Sequence, residues 1–274
     1  MKTALLISSC VAASHVGASA STFCLQRLGH RVITVPTTML GRHPGWGPPG
    51  GQALSATHLA SIWSAIKAQN IAIDAVMTGY MGDEDHVGLT AEIITDVKAA
   101  NPEAFILVDP VMGDMGAGDR GQLYIPEKRA QAIKQTLVPL ADIISPNIWE
   151  LSYLTQQETK TIDKVRKAAR ALPCDALVTS VMHKDKIGAL LASKKQACAV
   201  YHDKFDTVPH GGGDALAATF IAHILSGKSQ TEALAQSTAS IFEILAITAA
   251  SGELALIKGQ EALINARPLT LETL

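Results

Sequence analysis

The stretch AFILVDPVMGD, Ala104–Asp114, decides the fold of this chain. Its first five residues are apolar and short enough for one buried β-strand, and Asp109 and Pro110 follow at once. Because proline keeps the residue before it out of the helical region, we expect Asp109 to be extended, with its carboxylate at the strand end. Ligands of parallel sheets bind at the carboxyl ends of the strands. The stretch therefore predicts a buried strand that brings a carboxylate to a ligand-binding edge.

An apolar run followed by a helical segment recurs along most of the chain. Within residues 83–99, for example, apolar side chains recur at helical spacing on one face, at Val87, Ala91, Ile94 and Val97. This βαβα order predicts a mostly parallel sheet with helices on both faces, which is a three-layer α/β/α sandwich. The other candidate strands are Ala4–Ile7, Arg31–Val35, Ala75–Thr78, Ile143–Ile144 and Ala176–Thr179.

The rhythm changes in the last third of the chain. Two apolar runs, Ile187–Ala192 and Ala197–Tyr201, flank Ser193–Lys195 and predict a β-hairpin. The segment Ser229–Glu232 has the pattern of a capping box, which predicts the start of a long helix. No shift in composition marks a boundary, so residues 1–274 are predicted to form a single domain.

Charge and composition exclude several classes of protein. The 274 residues carry a formal net charge of -2 and no block of like charge, which argues against nucleic-acid binding. The sequence contains no run of about 18 apolar residues, so no membrane-spanning helix is predicted. The four cysteines form no C-x-x-C pair and no zinc-type spacing with histidines, which predicts reduced thiols.

The first residues allow more than one interpretation. Met1–Cys10 begins like a secretory signal, Ala18–Ala20 resembles a cleavage site, and an exported lipoprotein would use Cys10. However, the apolar run 4–7 is short for a signal, and His15 follows in an amphipathic stretch. A first buried strand that leads into a helix explains the same residues. We favour the strand, and we therefore expect a cytoplasmic protein.

Three consecutive glycines, Gly211, Gly212 and Gly213, lead directly into an apolar helix that carries Asp214 near its start. The first turn of a helix exposes free N–H groups, and glycines let the backbone approach an anion closely. Asp214 then has two interpretations. It is either a residue favoured by the helix dipole, or a carboxylate that accepts a hydroxyl proton beside a bound phosphate.

Polar side chains also follow the candidate strand that ends before Ser145. Ser145 and Pro146 have the pattern of a helix cap and a first helical turn. Asn147 and Glu150 stand three residues apart and share a helix face. Together with Asp109, these amide and carboxylate oxygens would suit hydrated Mg²⁺. Helix capping alone would also explain them.

Glycines mark two more candidate site segments. Residues 41–51 are rich in Gly and Pro between a strand and a helix, which suggests a flexible loop over a site rather than a linker. Tyr80 lies between two glycines in Thr78–Gly82, where an ordinary turn is the alternative. Gly116–Gly121 matches G-x-G-x-x-G, but it neither directly follows a strand nor opens a helix. Gly227–Ser229 lacks the earlier P-loop glycine and fits a helix C-terminus instead.

Together these motifs resemble the ribokinase superfamily and, within it, the pyridoxal kinase family. The resemblance runs from Ala4 to about Thr248. It implies a ribokinase-like fold and ATP-dependent phosphorylation of the 5′-hydroxymethyl group of pyridoxal, and of pyridoxine and pyridoxamine as further candidates. It also implies Mg²⁺, a monovalent cation such as K⁺, and a homodimer. The segments that carry it are Thr78–Gly82, Asp109–Asp114, Tyr124–Glu127, Val138–Asn147 and the glycine loop with Asp214.

The resemblance implies a role for each matching residue. Asp214 matches the catalytic base, and Gly211–Gly213 match the anion hole. Asp109 and Glu150 match residues near the metal, which they would hold through water. The residues implied for the vitamin are Ser9, His43, Pro44, Tyr80 and Asp214. Those implied for ATP are Asp109, Tyr124, Ser145, Asn147, Glu150, Thr179, Ser180, Thr207, Val208, Pro209 and His210.

Four positions depart from the family pattern. Gly212 replaces a branched residue, Cys10 a histidine, Ala18 an asparagine and Pro44 a polar residue. Because these departures cluster on the substrate side, two alternatives stay open. One is a hydroxymethylpyrimidine kinase of thiamine synthesis, although Tyr80 favours pyridoxal. The other is a non-catalytic B6-binding protein on the same fold.

Two physical expectations follow for the glycine loop. The start of the helix is expected to keep Asp214 ionised and therefore weakly basic. A loose phosphoryl-transfer transition state tolerates a weak base, because it depends more on positioning and charge stabilisation. Gly213 is expected to have a positive φ angle of the kind that glycine permits.

Overall fold

The computed structural model describes residues 1–115, 121–248 and 252–274, so most of the rejected Gly116–Gly121 motif lies outside the described residues. The strands are β1 (Thr3–Val11), β2 (Arg31–Leu40), β3 (Gly51–Ala53), β4 (Ala75–Thr78), β5 (Phe105–Val108), β6 (Gly113–Asp114), β7 (Gln122–Leu123), β8 (Ile143–Ile144), β9 (Asp175–His183), β10 (Lys186–Ala192), β11 (Ala197–Asp203) and β12 (Glu272–Thr273). The helices are α1 (Gly17–Arg27), α2 (Ala56–Lys67), α3 (Asp85–Ala100), α4 (Glu127–Ala132), α5 (Ile148–Thr155), α6 (Ile162–Arg170), α7 (Gly212–Leu225), α8 (Gln230–Thr248) and α9 (Ala262–Asn265).

One 10-stranded sheet runs through the described residues in the order β12-β11-β10-β9-β8-β5-β4-β1-β2-β3. The six strands from β9 to β2 in this order are parallel to their neighbours. The strands β10, β11 and β12 add antiparallel pairs at one edge, and β3 adds one at the other. The prediction of a mostly parallel sheet is therefore confirmed.

The two faces of β1 show why the chain forms three layers. Leu5 and Ile7 point into a core that they share with α2, α3, α4, α5 and α6. Ala4 and Leu6 point the other way, into a core that they share with α1, α7, α8 and α9. Because side chains alternate along a strand, an unbroken apolar run can bury both faces of the sheet. The predicted α/β/α sandwich is confirmed.

The register of the parallel strands brings their polar ends together. Thr78 at the end of β4 is paired with Ile7 of β1 and Val108 of β5. Val108 is in turn paired with Ile144 of β8. The residues that follow these pairs, among them Asp109, therefore meet at one edge of the sheet. Ligands of parallel sheets bind at this carboxyl edge.

The predicted strand boundaries hold for β4 and β8, whereas β1 and β9 are longer than predicted. β1 continues past Ile7 through polar residues, because β2 stays paired with it as far as Val11. β9 continues through Ser180 to His183, because the first half of β10 pairs with it. An apolar run marks where a strand is buried, not where its hydrogen bonding ends.

Three local predictions in the last third of the chain are confirmed. β10 and β11 form the predicted hairpin, with Ala192 paired with Ala197. The Ser229 N–H donates to Glu232 Oε2 at 2.9 Å, and the Glu232 N–H donates to Ser229 Oγ at 3.3 Å, which completes the capping box. Gly227 has φ +85° beyond the end of α7, as a C-terminal cap requires. Among the described residues, no helix is both long and apolar enough to cross a membrane.

Candidate active site

A cavity of about 180 Å³ opens at the carboxyl edge of the parallel strands. It lies between the ends of β5, β8 and β9 and the glycine loop that precedes α7. Most of the residues implied by the family resemblance line it. These are His43, Asp109, Tyr124, Ser145, Asn147, Glu150, Thr179, His210, Gly211, Gly213 and Asp214.

The other implied residues do not line this cavity. Ser9 is buried at the end of β1, and Tyr80 offers its carbonyl oxygen to the Thr37 hydroxyl at 2.6 Å. Val208 is half exposed in the segment before the glycine loop. The complete set that lies outside the cavity lining is Ser9, Pro44, Tyr80, Ser180, Thr207, Val208, Pro209 and Gly212.

Asp214 is partly buried in the first turn of α7 and has a specific partner, because the Gly17 N–H donates to its carboxylate. Burial raises the pKa of Asp214, and this hydrogen bond offsets only part of the rise. The expectation that the helix start would dominate and leave Asp214 a weak base is therefore wrong in direction. A raised pKa makes the carboxylate a better proton acceptor, as long as it stays ionised.

Gly17 connects the end of β1 to this carboxylate. Its φ is +54°, and a Cβ at this position would lie 2.5 Å from Ser9 Oγ. Ser9 and Asp214 therefore contact the same glycine, although Ser9 does not line the cavity. Gly17 carries no recognisable motif, so the sequence did not reveal it as a functional residue.

The positive φ of the glycine loop lies at Gly211, not at Gly213. Gly211 caps α7 with φ +98°, and an added Cβ would overlap the His15 carbonyl oxygen. Gly213 is an ordinary helical residue, and an added Cβ would meet no atom within 4 Å. The expectation for Gly213 is wrong because the helix already starts at Gly212, which leaves the turn to the preceding residue.

Asp109 and Glu150 are both buried at the cavity wall. Burial raises the pKa of Asp109, and the nearby Glu150 and Asp214 carboxylates raise it further. Burial also raises the pKa of Glu150 to about 7, against backbone N–H groups that lower it. These donors are Met112 at 2.7 Å, Asn147 at 3.0 Å and Gly113 at 3.4 Å. The cavity is therefore strongly acidic, and no Lys or Arg is found among the described residues that line it.

Asn147, not Ser145, caps helix α5. Asn147 Oδ1 accepts the N–H groups of Trp149 and Glu150 at 2.9 Å each, and Glu150 closes a capping box onto the Asn147 N–H. The Ser145 backbone instead continues the sheet, because its N–H donates to the Val108 carbonyl at 2.9 Å. The prediction of Ser145 as the cap is wrong because the strand-like pairing runs two residues further than the apolar run.

The turn after β5 includes a feature without a sequence signal. Val111 lines the cavity with φ +39°, a conformation that is uncommon for a β-branched residue. Its N–H donates to the Asp109 carboxylate, which lowers the pKa of Asp109 against the effect of burial. Backbone strain of this kind clusters at functional sites. Val16, at the start of α1, is the other lining residue that sequence motifs did not indicate.

The loop at residues 41–51 reaches the glycine loop through two histidines. The imidazole of His43 stacks on that of His210, with ring centroids 4.1 Å apart. His43 Nδ1 accepts the Gly45 N–H at 3.1 Å, which requires an unprotonated Nδ1. Burial and the neighbouring His210 lower the pKa of His43. The loop therefore lies against the cavity with a neutral imidazole at the contact.

The described residues contain no group of three or more His, Cys, Asp or Glu side chains that could hold a metal ion directly. Asp109 and Glu150 form an acidic pair, and both Glu150 oxygens already accept backbone N–H groups. This donor set fits a hydrated ion better than one held wholly by protein ligands.

Comparisons with known proteins agree with this geometry. The phosphomethylpyrimidine kinase family model matches residues 46–257. The pyridoxal kinase PdxY of Corynebacterium diphtheriae is 34% identical over 275 residues, which is 96% of each chain. That of Leifsonia xyli is 36% identical over 276 residues, again 96% of each chain.

Solved structures extend the likeness to the fold. The pyridoxal kinase of Entamoeba histolytica has a TM-score of 0.92 at 25% identity, with both chains covered in full. The pyridoxal kinase of Leishmania donovani, solved with ADP and pyridoxamine, has the same TM-score at 23% identity and full coverage. The predicted ribokinase-like fold and the resemblance to pyridoxal kinases are confirmed: this chain belongs to the phosphomethylpyrimidine kinase family and, within it, groups with the pyridoxal kinases.

Proposed function

We propose that the protein transfers the γ-phosphoryl group of ATP to the 5′-hydroxymethyl group of pyridoxal, with pyridoxine and pyridoxamine as further candidates. The observation that carries this proposal is the partly buried Asp214 carboxylate beside the Gly211–Gly213 loop, at the sheet edge where ligands bind. Phosphoryl transfer to an alcohol needs a proton acceptor and N–H groups that bind phosphate, and both lie next to each other at this edge. The pyridoxal kinase relatives support the same reaction.

In the proposed reaction, Asp214 accepts the proton of the substrate hydroxyl group. The alcohol oxygen forms a bond to the γ-phosphorus, and the bond from the γ-phosphorus to the bridging oxygen breaks and leaves ADP. Backbone N–H groups at the start of α7 would stabilise the charge on the transferred group. Closure of the loop at residues 41–51 over this carboxylate would exclude competing water, which favours transfer to the alcohol over hydrolysis.

The charge of the cavity supports a requirement for Mg²⁺. Asp109, Glu150 and Asp214 are all acidic, and the part of the lining that the structure describes has no Lys or Arg to meet a polyphosphate. A divalent ion on the phosphates would reverse this repulsion. Asp109 and Glu150 would hold the ion through water, while the other polar residues at the wall bind the nucleotide. The proposal includes a monovalent cation such as K⁺, by likeness to the family.

The wider proposal concerns the whole molecule. We propose that residues 1–274 act as a single domain and that the loop at 41–51 closes over the vitamin through His43. A homodimer is proposed by likeness to the family, as is action in the cytoplasm, where ATP is available. Size-exclusion chromatography with light scattering measures the oligomeric state, and a monomeric mass would contradict the dimer.

A hydroxymethylpyrimidine kinase is the second candidate, because the family model that matches residues 46–257 is described as phosphomethylpyrimidine kinase, an activity on a related pyrimidine. A substrate panel separates the two. We expect ATP consumption with pyridoxal and little with hydroxymethylpyrimidine at equal concentration. The opposite preference would support the second candidate. ATP consumption with neither, together with binding of pyridoxal in calorimetry, would indicate a non-catalytic B6-binding protein.

A further inference from the structure

The short hairpin formed by β6 and β7 lies over helix α5, next to the cavity. Tyr124, which follows β7 directly, is the residue that the hairpin brings to the cavity. The Tyr124 N–H donates to the Met112 carbonyl at 3.0 Å, so the two ends of the hairpin are joined. Where this hairpin lies therefore decides where Tyr124 lies.

The indole of Trp149 lies beneath both strands of this hairpin. A Cβ added at Gly113, in β6, would overlap the six-membered ring of Trp149. A Cβ added at Gly121, immediately before β7, would overlap the five-membered ring. Both glycines therefore allow the backbone to rest directly on the ring. Because Gly113 is paired with Leu123 of β7, the two strands lie side by side where they contact the indole.

Other residues at the start of α5 and in α5 hold the backbone around β6 and support the indole. Asn147 Nδ2 donates to the Gly113 carbonyl at 2.8 Å, and Glu150 Oε1 accepts the Met112 N–H at 2.7 Å. Tyr153 stacks on Trp149 with ring centroids 5.7 Å apart, and its hydroxyl donates to Glu127 Oε1 at 2.5 Å. Asn147, Trp149 and Glu150 thus contact the hairpin segment directly, and Tyr153 supports Trp149. We call these four residues of α5 and its cap, with their contacts, the α5 clamp.

We propose that Trp149 is a positioning residue for the nucleotide: the α5 clamp, centred on its indole, fixes hairpin β6–β7 and so places Tyr124 at the cavity. This inference rests on the proposed function, because it assigns Tyr124 to the ATP side. Trp149 itself does not line the cavity. It acts through the hairpin, so its loss affects ATP and leaves the vitamin side intact. A flat aromatic ring is needed here because both glycines contact it.

The kinetic test compares four variants. Trp149→Ala and Gly121→Ala are expected to raise KM for ATP roughly tenfold, with KM for pyridoxal changed by less than about twofold. Trp149→Phe keeps a flat ring and is expected to restore most of the ATP affinity. Gly88→Ala is the matched glycine control, because an added Cβ there meets no atom within 4 Å. Equal changes in both KM values, or none, would overturn the inference.

Hydrogen exchange of the free protein tests the α5 clamp without any turnover. The amides of Met112, Gly113 and Tyr124 are hydrogen-bonded, and we expect them to exchange faster in Trp149→Ala. Trp63→Ala removes an indole of α2 that donates to Asp96 in α3, away from the hairpin, and it controls for a general loss of stability. Unchanged protection of the hairpin in Trp149→Ala would overturn the inference. Wild-type protein that consumes no ATP would overturn the proposed function instead, and the exchange result would still decide the role of Trp149 in holding the hairpin.

Discussion

Gly211 and Gly213 stand two residues apart in one loop, yet a methyl group has different consequences at each. At Gly211 it would overlap the His15 carbonyl oxygen and oppose φ +98°. We predict that Gly211→Ala lowers the free energy of unfolding by about 1–3 kcal/mol, measured by urea denaturation. Gly213→Ala has open space and a helical backbone, so its stability is expected to stay near wild type.

The rate of turnover, kcat, tests the role of Gly213 separately from its effect on stability. The proposed phosphoryl group approaches the start of α7, so the methyl group of Gly213→Ala would crowd it and lower kcat. A Gly213→Ala protein with wild-type stability and wild-type kcat would show that phosphate does not bind at this position. A destabilised Gly213→Ala protein would contradict the account of its backbone.

His43 predicts a pH dependence of vitamin binding. Its folded-state pKa is lowered from 6.5 by burial and by His210, so the neutral ring predominates above that pKa. As the pH falls through the folded-state pKa, protonation breaks the acceptor bond from Gly45 and places a cation beside His210. We predict that KM for pyridoxal rises as the pH falls through this lowered folded-state pKa, below the ordinary histidine value of 6.5.

The control for this prediction is His43→Gln, which retains an acceptor but does not titrate. Its KM for pyridoxal should vary much less with pH over the same range. A KM that rises equally in wild type and in His43→Gln would assign the pH dependence to another group.

Single residues show what a sequence motif can and cannot reveal about a site. Asp109 was identifiable because a proline follows it at the end of an apolar run. Gly17 and Val111 were not, because each acts through one backbone N–H whose position depends on the tertiary fold. The expected ionisation of Asp214 is wrong because the helix start is visible in the sequence, whereas the desolvation of its carboxylate by the tertiary fold is not.

At the scale of the element, Asn147 and Ser145 are the two candidates for the N-cap of α5, and their substitutions should differ in effect. Asn147→Ala removes the acceptor of two N–H groups, and we predict a loss of about 1–2 kcal/mol in the free energy of unfolding. Ser145→Ala removes no cap, so its effect on stability is expected to be smaller. Urea denaturation of both variants measures the difference, and a larger loss in Ser145→Ala would contradict the observed start of the helix.

Elements were predictable wherever local chemistry and tertiary packing agree. The hairpin β10–β11 and the capping box of α8 follow from signals within a few residues. The length of β1 does not, because its polar end is held by pairing with β2, distant in sequence. The hairpin β6–β7 was not predicted either. Its strands are two residues long, and it is held by the indole of Trp149 rather than by its own apolar face.

At the scale of the whole molecule, two buried histidines predict acid sensitivity. Burial lowers the pKa of His223 to about 4 and also lowers that of His30, both near the end of α7. Above about pH 6.5 both rings are neutral in the folded and unfolded states, so neither favours unfolding. As the pH falls below 6.5 the unfolded chain binds protons first. For His223 we predict a loss of stability down to about pH 4, at about 1.4 kcal/mol for each pH unit, and His30 adds a loss in the same direction.

Thermal or urea unfolding at several pH values measures this effect. His223→Gln should flatten the profile between pH 6.5 and 4, whereas His58→Gln, at an exposed position on α2, should leave it unchanged. A profile that His223→Gln does not flatten would contradict the assignment.

The layer architecture and the edge that carries the site follow from the order of apolar runs, because parallel strands with helical crossovers have few arrangements. The residues outside the cavity lining, such as Ser9 and Pro209, were assigned by resemblance alone. The place of Ser9 depends on how far β1 continues past its apolar run, and that of Pro209 on how the loop before α7 folds. The order of the strands determines neither.

The central claim is that Asp214 accepts the substrate proton in a phosphoryl transfer to pyridoxal. The direct test is formation of pyridoxal 5′-phosphate from ATP and pyridoxal by wild-type protein and by Asp214→Asn, with ATP binding measured in parallel. The account predicts that kcat falls roughly 10²–10⁴-fold in Asp214→Asn while ATP binding is retained. Near-normal turnover by Asp214→Asn would show that this carboxylate only stabilises the helix start, and the proposed mechanism would be wrong.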